Sequence, residues 1–319
     1  MFKPGDAIIE ARHLTKLYQV SRSKCLTACD DISLNFYRNQ TLGIVGESGC
    51  GKSTFVRMAV GLEKPTSGEI LFYGKNRLEL KGEELRLNRR NIQMIFQDPS
   101  EALHPRMKVK EIICEPLFNF NLIKKSQMES KARELLEMVE LPGSFAERFP
   151  HEMSGGQRQR IGIARALSLE PEVIICDEIT SALDVSAQKM IVELLLDLQN
   201  RKQISIGFIS HDLALVQQFA HQVAVMYLGN VVELMNGKEV STKARHPYTQ
   251  ALLDSIFDLH MDYSKEIVSI DSEIPSPFNV QEGCPFKERC IHCMTVCKTE
   301  KPKLMEIEPY HLAACHRYG

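Results

Sequence analysis

Nine residues near the start of the chain, GESGCGKST (46–54), follow the spacing G-x-x-x-x-G-K-[ST]. This spacing suits the holding of phosphate. Glycines let backbone N–H groups close around an anion, and the N-terminus of a following helix adds a positive dipole end. Lys52 would reach the β- and γ-phosphate oxygens and Ser53 would ligate Mg²⁺. A second element should help hold that metal, and VIICDE (173–178) supplies it with Asp177 at the end of an apolar run. Glu178, directly after it, is placed to orient or deprotonate an attacking water. Two acids after a strand also make an ordinary helix N-cap, a reading that weakens beside the phosphate loop.

The elements that must carry these groups are legible as alternation. Ala7–Glu10, Ile32–Phe36, Thr41–Val45 and Glu69–Tyr73 read as strands, and residues 53–62 as a helix. PTSG (65–68) reads as a turn. From about 98 to 165 the pattern turns mostly helical, as in KSQMESKARELLEMVEL. VIICD (173–177), ISIGFIS (204–210) and VAVMYLG (223–229) then return as buried strands around SAQKMIVELLLDLQ. Continuous apolar strands between helices predict a parallel sheet covered on both faces, and the helical insertion predicts two lobes. From about 259 onward Pro, Cys and His rise and periodicity fades.

Composition narrows the function. Apolar residues are 44% and charged residues 25%, and 39 basic against 41 acidic residues leave a net charge of −2. Nothing global therefore favours nucleic acid or an anionic membrane surface. Trp is absent and aromatics are 7%, which argues against a base-stacking platform. MFKPGDAIIEARHL has no apolar core of a signal peptide, and no run of about 18 apolar residues occurs. A cytoplasmic, reducing compartment is expected, in which cysteines are more often free thiols or metal ligands than disulfides. That matters because five of the ten cysteines fall in the last 36 residues, four of them within GCPFKERCIHCMTVC.

MSGGQRQRIGIARAL (153–167) resembles the signature motif of ABC ATPases, with Ser154, Gly155, Gly156 and Gln157 matching position by position. The resemblance implies a helix start aimed outward at ATP held by an opposite subunit, hence a head-to-tail dimer. Gln97 in IFQDPS looks like the family's glutamine loop, and an Mg²⁺ ligand beside Ser53 and Asp177. SALD, Ser181, Ala182, Leu183 and Asp184, looks like the D-loop, and His211 in ISHDL like the switch histidine. Tyr18 stands where the family carries an aromatic stacked on adenine, although a lone Tyr at a strand edge also packs structurally. The nucleotide site implied is Tyr18, Gln97 and the loop Gly46, Glu47, Ser48, Gly49, Cys50, Gly51, Lys52, Ser53 and Thr54. Cys50 has two readings: a thiolate favoured by Lys52 and the helix start, or a small residue filling a tight turn. The fold implied is the α/β P-loop NTPase of an ABC domain, a RecA-like core with antiparallel β and helical subdomains. It would cover residues 1–258, with the helical subdomain at about 98–165. Residues 259–319 would form a small irregular Cys-rich appendage. One departure is DEITSALD, where Ile179 replaces the usual proline.

FQDPSEALHPRMKVKEIICEPL, VAVMYLGNVVEL, HPYTQALL and IPSPFNVQEGCPFKERC resemble ATPase subunits of oligopeptide, dipeptide and nickel importers. GESGCGKST, GLEKPTSGE and HPRM look like the shorter of that system's two ATPase subunit types; SEALHP departs from the more usual YASLNP. This implies a second, different ATPase subunit, two transmembrane permease subunits and an extracytoplasmic peptide-binding protein. The chain would lie peripherally on the inner face of the membrane. The competing reading is a soluble ABC ATPase with a mechanical or regulatory role. Cys284, Cys290, Cys297 and Cys315 match the importers' C-x5-C-x6-C…C pattern, which in some members holds a [4Fe–4S] cluster. Zinc is the rival, through the Cys290–Cys293 pair with His292, His311 and His316 nearby.

Overall fold

The computed structural model describes residues 7–21, 24–98, 102–255 and 282–319. The chain divides into two units, one of Met1–Leu78 with Phe208–Gly319, the other of Glu79–Gly207. Residues 259–281 of the expected C-terminal segment lie outside the described residues.

In the first unit, β1 (Ala7–Ser21) and β2 (Lys24–Tyr37) pair antiparallel over most of their length. Both run beyond the short apolar stretches that predicted them. Their outer halves are carried by antiparallel pairing with one solvated face, which apolar periodicity alone underestimates. β4 (Ser67–Phe72) and β5 (Lys75–Asn76) complete this sheet in the order β2-β1-β4-β5.

β3 (Thr41–Val45) and β9 (Gln222–Tyr227) are buried at every position and pair in parallel. Gly43 is required in this pairing: a Cβ there would run into the Val216 side chain. From the end of β3 the chain passes through the glycine-rich loop into α1 (Lys52–Ala59). β10 (Asn230–Asn236) pairs antiparallel with β9.

The C-terminal residues expected to be irregular are not so throughout. β11 (Met305–Glu308) and β12 (His311–Ala313) form a hairpin turning at Tyr310, whose φ is 63°. β12 then pairs with β10, satisfying backbone groups that an edge strand leaves open. The pairing is short, which is why alternation in the sequence was too weak to reveal it.

In the second unit, α2 (Gly82–Asn91) leads into β6 (Ile92–Ile95), which pairs in parallel with the fully buried β7 (Val173–Asp177). Between these strands lie α3 (Val109–Asn119) and α4 (Met128–Met138), joined by apolar faces that include Ile113, Leu117, Leu135 and Leu136. α5 (Gly155–Leu167) and α6 (Val185–Lys202) flank β7 in sequence, and β8 (Ser205–Ser210) carries the chain back to the first unit. Among the described residues, no helix is long and apolar enough to cross a membrane.

Candidate functional site

The phosphate loop is shaped by two glycines that no other residue replaces. Gly46 has φ 155° and a Cβ there would press on the Met226 carbonyl and, at 2.8 Å, on the Cys50 sulfur. Gly51 has φ 103°, caps α1, and would drive a Cβ into the Ala28 carbonyl oxygen. The loop is thus wedged between β9 and β2. Lys52 is buried, and its ammonium donates to the Gly46 carbonyl at 2.8 Å and the Glu47 carbonyl at 3.0 Å. Ser53 and Thr54 follow on the first turn of α1.

Cys50 takes the structural reading of the two. Its thiol is buried, and burial pushes its pKa up although Lys52 pulls the other way. A neutral thiol filling the turn is no reactive nucleophile. Tyr18 is half-buried on β1, with its hydroxyl donating to Glu63 and a further hydrogen bond to Thr54 of α1. Lys16 completes the group, 3.0 Å from Glu63 and 5.0 Å over the Tyr18 ring. His211 is exposed directly after β8, before Asp212 caps the short helix α7 (Leu213–Val216).

The second unit gathers the other expected groups. Asp177 ends β7 and is 3% exposed. Glu178 follows in a left-handed conformation, φ 49°. Its Oε2 accepts from the Gln97 amide at 3.1 Å, so the glutamine loop and the acid are brought together. Ile179 is buried, which fits an apolar side chain where the resemblance predicts proline. Ser181 Oγ donates to the Glu178 carbonyl at 2.9 Å, and Asp184 Oδ1 caps α6 by accepting from the Ala187 N–H at 2.9 Å. Ser154 caps α5 reciprocally: its Oγ accepts from the Gln157 N–H, and the Gln157 side chain accepts from the Ser154 N–H. A Cβ on Gly155 would meet only Leu183, at 3.8 Å, and one on Gly156 would meet nothing within 4 Å. The start of α5 therefore has open space beside it.

All ten cysteines are free thiols. Cys284 and Cys297 are buried and share a hydrogen bond between the Cys284 N–H and the Cys297 carbonyl at 2.8 Å. Cys290 and Cys315 are half-buried, and Cys293 is exposed. Burial first, and then the neighbouring Cys297, Cys290 and Cys315, push the Cys284 thiol up to about 11. The same causes, burial first, raise Cys290 and Cys315. The four expected ligands are thus neighbours. Even so, among the described residues no group of three or more His, Cys, Asp or Glu side chains is arranged to hold a metal ion. As they stand these thiols fit neither an assembled cluster nor a zinc site. Two histidines of the zinc reading have other partners. His311 Nε2 lies 2.7 Å from Glu233 Oε1, and His316 Nε2 lies 2.9 Å from the Glu300 carbonyl.

Comparison with known proteins decides the family. The ABC transporter model matches residues 29–181, and the model for the oligopeptide/dipeptide transporter C-terminal region matches residues 232–297. The oligopeptide transport ATP-binding protein AppF of Bacillus subtilis is 44% identical, covering 98% of each chain. A putative peptide import ATP-binding protein of Brucella ovis is 44% identical, covering 97% of this chain and 98% of that one. The chain belongs to the ATP-binding proteins of ABC transporters. It is an ATPase of that class, hydrolysing ATP to ADP and phosphate. Its fold agrees: cbiO1 of Clostridium perfringens, part of an ABC transporter complex, superposes with a TM-score of 0.66 at 29% identity, covering 74% of this chain and 90% of that one. The dimeric ABC transporter cassette MJ0796 gives 0.65 at 30% identity, covering 72% and 98%.

Sequence reasoning missed two features of this ABC subunit. Arg289, from the cysteine-rich segment, grips Glu47 of the phosphate loop across 242 positions. Glu233, fully buried on β10, accepts from the backbone N–H groups of Arg245 at 2.6 Å and His246 at 3.2 Å besides facing His311. An acid inside the apolar run VVEL was the one local hint of the second.

Proposed function

We propose that this ABC ATPase couples ATP hydrolysis to the uptake of oligopeptides or dipeptides, with nickel or metal chelates as the variant cargo. The observation that carries the reading is the match of residues 232–297 to the oligopeptide/dipeptide transporter C-terminal region, together with peptide-import relatives of the same length. These favour an importer over a soluble mechanical ATPase. The partners that follow are two polytopic permease subunits and an extracytoplasmic peptide-binding protein, with the chain peripheral on the cytoplasmic face.

In this reading Lys52 and the loop amides hold the β- and γ-phosphates, and Ser53, Gln97 and Asp177 hold Mg²⁺, which neutralises phosphate charge when bound. Glu178 takes the proton of the attacking water, with its bond to Gln97 holding the carboxylate beforehand. His211 contacts the γ-phosphate, and Tyr18 stacks on adenine. Ser154, Gly155, Gly156 and Gln157 offer the start of α5 to nucleotide on a partner cassette, with Ser181, Ala182, Leu183 and Asp184 beside them. The open space at Gly155 and Gly156 supports this. The dimeric MJ0796 cassette supports a pair of cassettes; nothing in the comparisons favours a different second ATPase over a second copy of this chain.

A [4Fe–4S] cluster on Cys284, Cys290, Cys297 and Cys315 enters only as a metal-loaded form. Its support is the spacing of the four cysteines, which resembles the importers' C-x5-C-x6-C…C pattern. Loading would have to draw them together and deprotonate them. Iron and sulfide in anaerobically purified protein test it, and zinc alone, or no metal, refutes it. The importer reading is tested by affinity purification of the tagged chain from membranes. Two polytopic proteins should co-purify, and their peptide-binding partner should stimulate ATP hydrolysis; a chain recovered without membrane proteins defeats it.

A further inference from the structure

A loop whose task is to hold a triphosphate carries a carboxylate, Glu47, at its second position. The charge has the wrong sign for the ligand, and the fold answers it from far along the chain. Arg289 Nη1 donates to Glu47 Oε2 at 2.7 Å and Nη2 donates to Oε1 at 2.9 Å, a two-pronged pairing. The arginine side chain is only 4% exposed and the glutamate side chain 23%, so the pair is poorly screened by water. The Arg289 guanidinium lies 5.7 Å over the Tyr227 ring, and Phe286 packs edge-on against that ring at 5.2 Å. Tyr248 packs at a tilt against both rings, and its hydroxyl accepts from the Glu47 N–H at 3.0 Å. Both the amide and the carboxylate of Glu47 are therefore committed to the aromatic cluster, while its carbonyl faces the Lys52 ammonium.

We infer that Arg289 is a positioning residue of the nucleotide site, which through Glu47 fixes the start of the phosphate loop and cancels the carboxylate charge opposing the triphosphate. The inference rests on reading this loop as the ATP site. It gives the cysteine-rich segment a direct part in nucleotide affinity, because Arg289 immediately precedes Cys290. It also makes a prediction that simple scaffolding does not: removing the glutamate charge should repair removal of the arginine.

The test is titration of the full-length chain with methylanthraniloyl-ATP and Mg²⁺, followed by fluorescence, with a thermal melt of each nucleotide-free variant. Arg289→Ala should raise the dissociation constant roughly tenfold, the scale of one uncancelled charge at partly screened range. Arg289→Ala/Glu47→Gln should recover most of that loss. In steady-state hydrolysis KM should rise in Arg289→Ala while kcat stays within about twofold. Binding by Arg289→Ala equal to wild type, or a double variant as weak as the single one, overturns the inference. If Arg289→Ala does not fold, Arg289→Lys carries the test: retained charge should keep binding within about threefold, and a tenfold loss overturns the charge-cancelling role. Lys52→Ala separates the two readings. If it too binds like wild type, the ATP assignment of the loop itself fails; if it alone loses binding, only the role of Arg289 falls.

Discussion

The sharpest structural expectation compares two glycines of one loop. Gly49 and Gly51 both have positive φ, 78° and 103°, yet an added Cβ meets nothing within 4 Å at Gly49. At Gly51 it would enter the van der Waals envelope of the Ala28 carbonyl oxygen and lie 3.3 Å from the Ala28 carbonyl carbon. Gly49→Ala should therefore cost only backbone strain, about 1–2 kcal/mol. Gly51→Ala adds displacement of β2 by backbone overlap, which raises the cost to about 3–5 kcal/mol. For 319 residues the unfolding entropy is roughly 0.7 kcal/mol/K, so melting midpoints should fall by about 2 °C and about 6 °C respectively. Because the Gly51 carbonyl also accepts the first helical bond, from the Phe55 N–H at 2.9 Å, moving it tilts the start of α1. Nucleotide binding should thus fall much further in Gly51→Ala than in Gly49→Ala. Calorimetric melts with and without Mg-ATP read both effects. Equal midpoints for the two variants, or full ATP stabilisation of Gly51→Ala, would refute the wedge of the loop against β2.

Three further outcomes are expected. Glu178→Gln should bind ATP like wild type and lose most turnover, with His211→Ala behaving similarly; wild-type hydrolysis by Glu178→Gln in the assembled transporter would void the role given to that acid. Cys50 should alkylate slowly and equally with or without Mg-ATP, because burial keeps it a neutral thiol; fast, ATP-protected labelling would restore the reactive reading. His246 is held neutral by burial, which pushes it down to about 4 against the opposing charge of Glu233. As pH falls from 6.5 to 4 the unfolded chain takes up this proton first, so stability is full above 6.5 and declines by about 3 kcal/mol across that window. His246→Asn should flatten this part of the midpoint-against-pH curve, and an unchanged slope would contradict the assignment.

The chemistry of the phosphate site was readable because it is local. GESGCGKST carries its loop, helix start, lysine and hydroxyl within nine residues, and the buried strands TLGIV and VIICD announce themselves by unbroken apolar runs. SGGQ likewise contains its own cap, since Ser154 and Gln157 are three residues apart and satisfy each other. The long antiparallel stretch of β1 and β2 was only half legible, because Arg12, His13 and Gln19 are exposed and interrupt the apolar alternation of the strand. The hairpin of β11 and β12 was not legible at all: its partner is β10, some 80 positions earlier, and three or four residues make no periodicity. Charge pairing across the fold is equally silent in one dimension. Glu47 and Arg289 are each ordinary surface residue types, and only the packing of Tyr227, Tyr248 and Phe286 removes water from around them. Glu233 with His311 is the same case. What the sequence by itself determined is the nucleotide chemistry, because those groups act through neighbours a few bonds away. What tertiary structure alone decided is which distant charge steadies that chemistry, because such a pairing depends on burial, and burial is set by contacts between residues the chain keeps far apart.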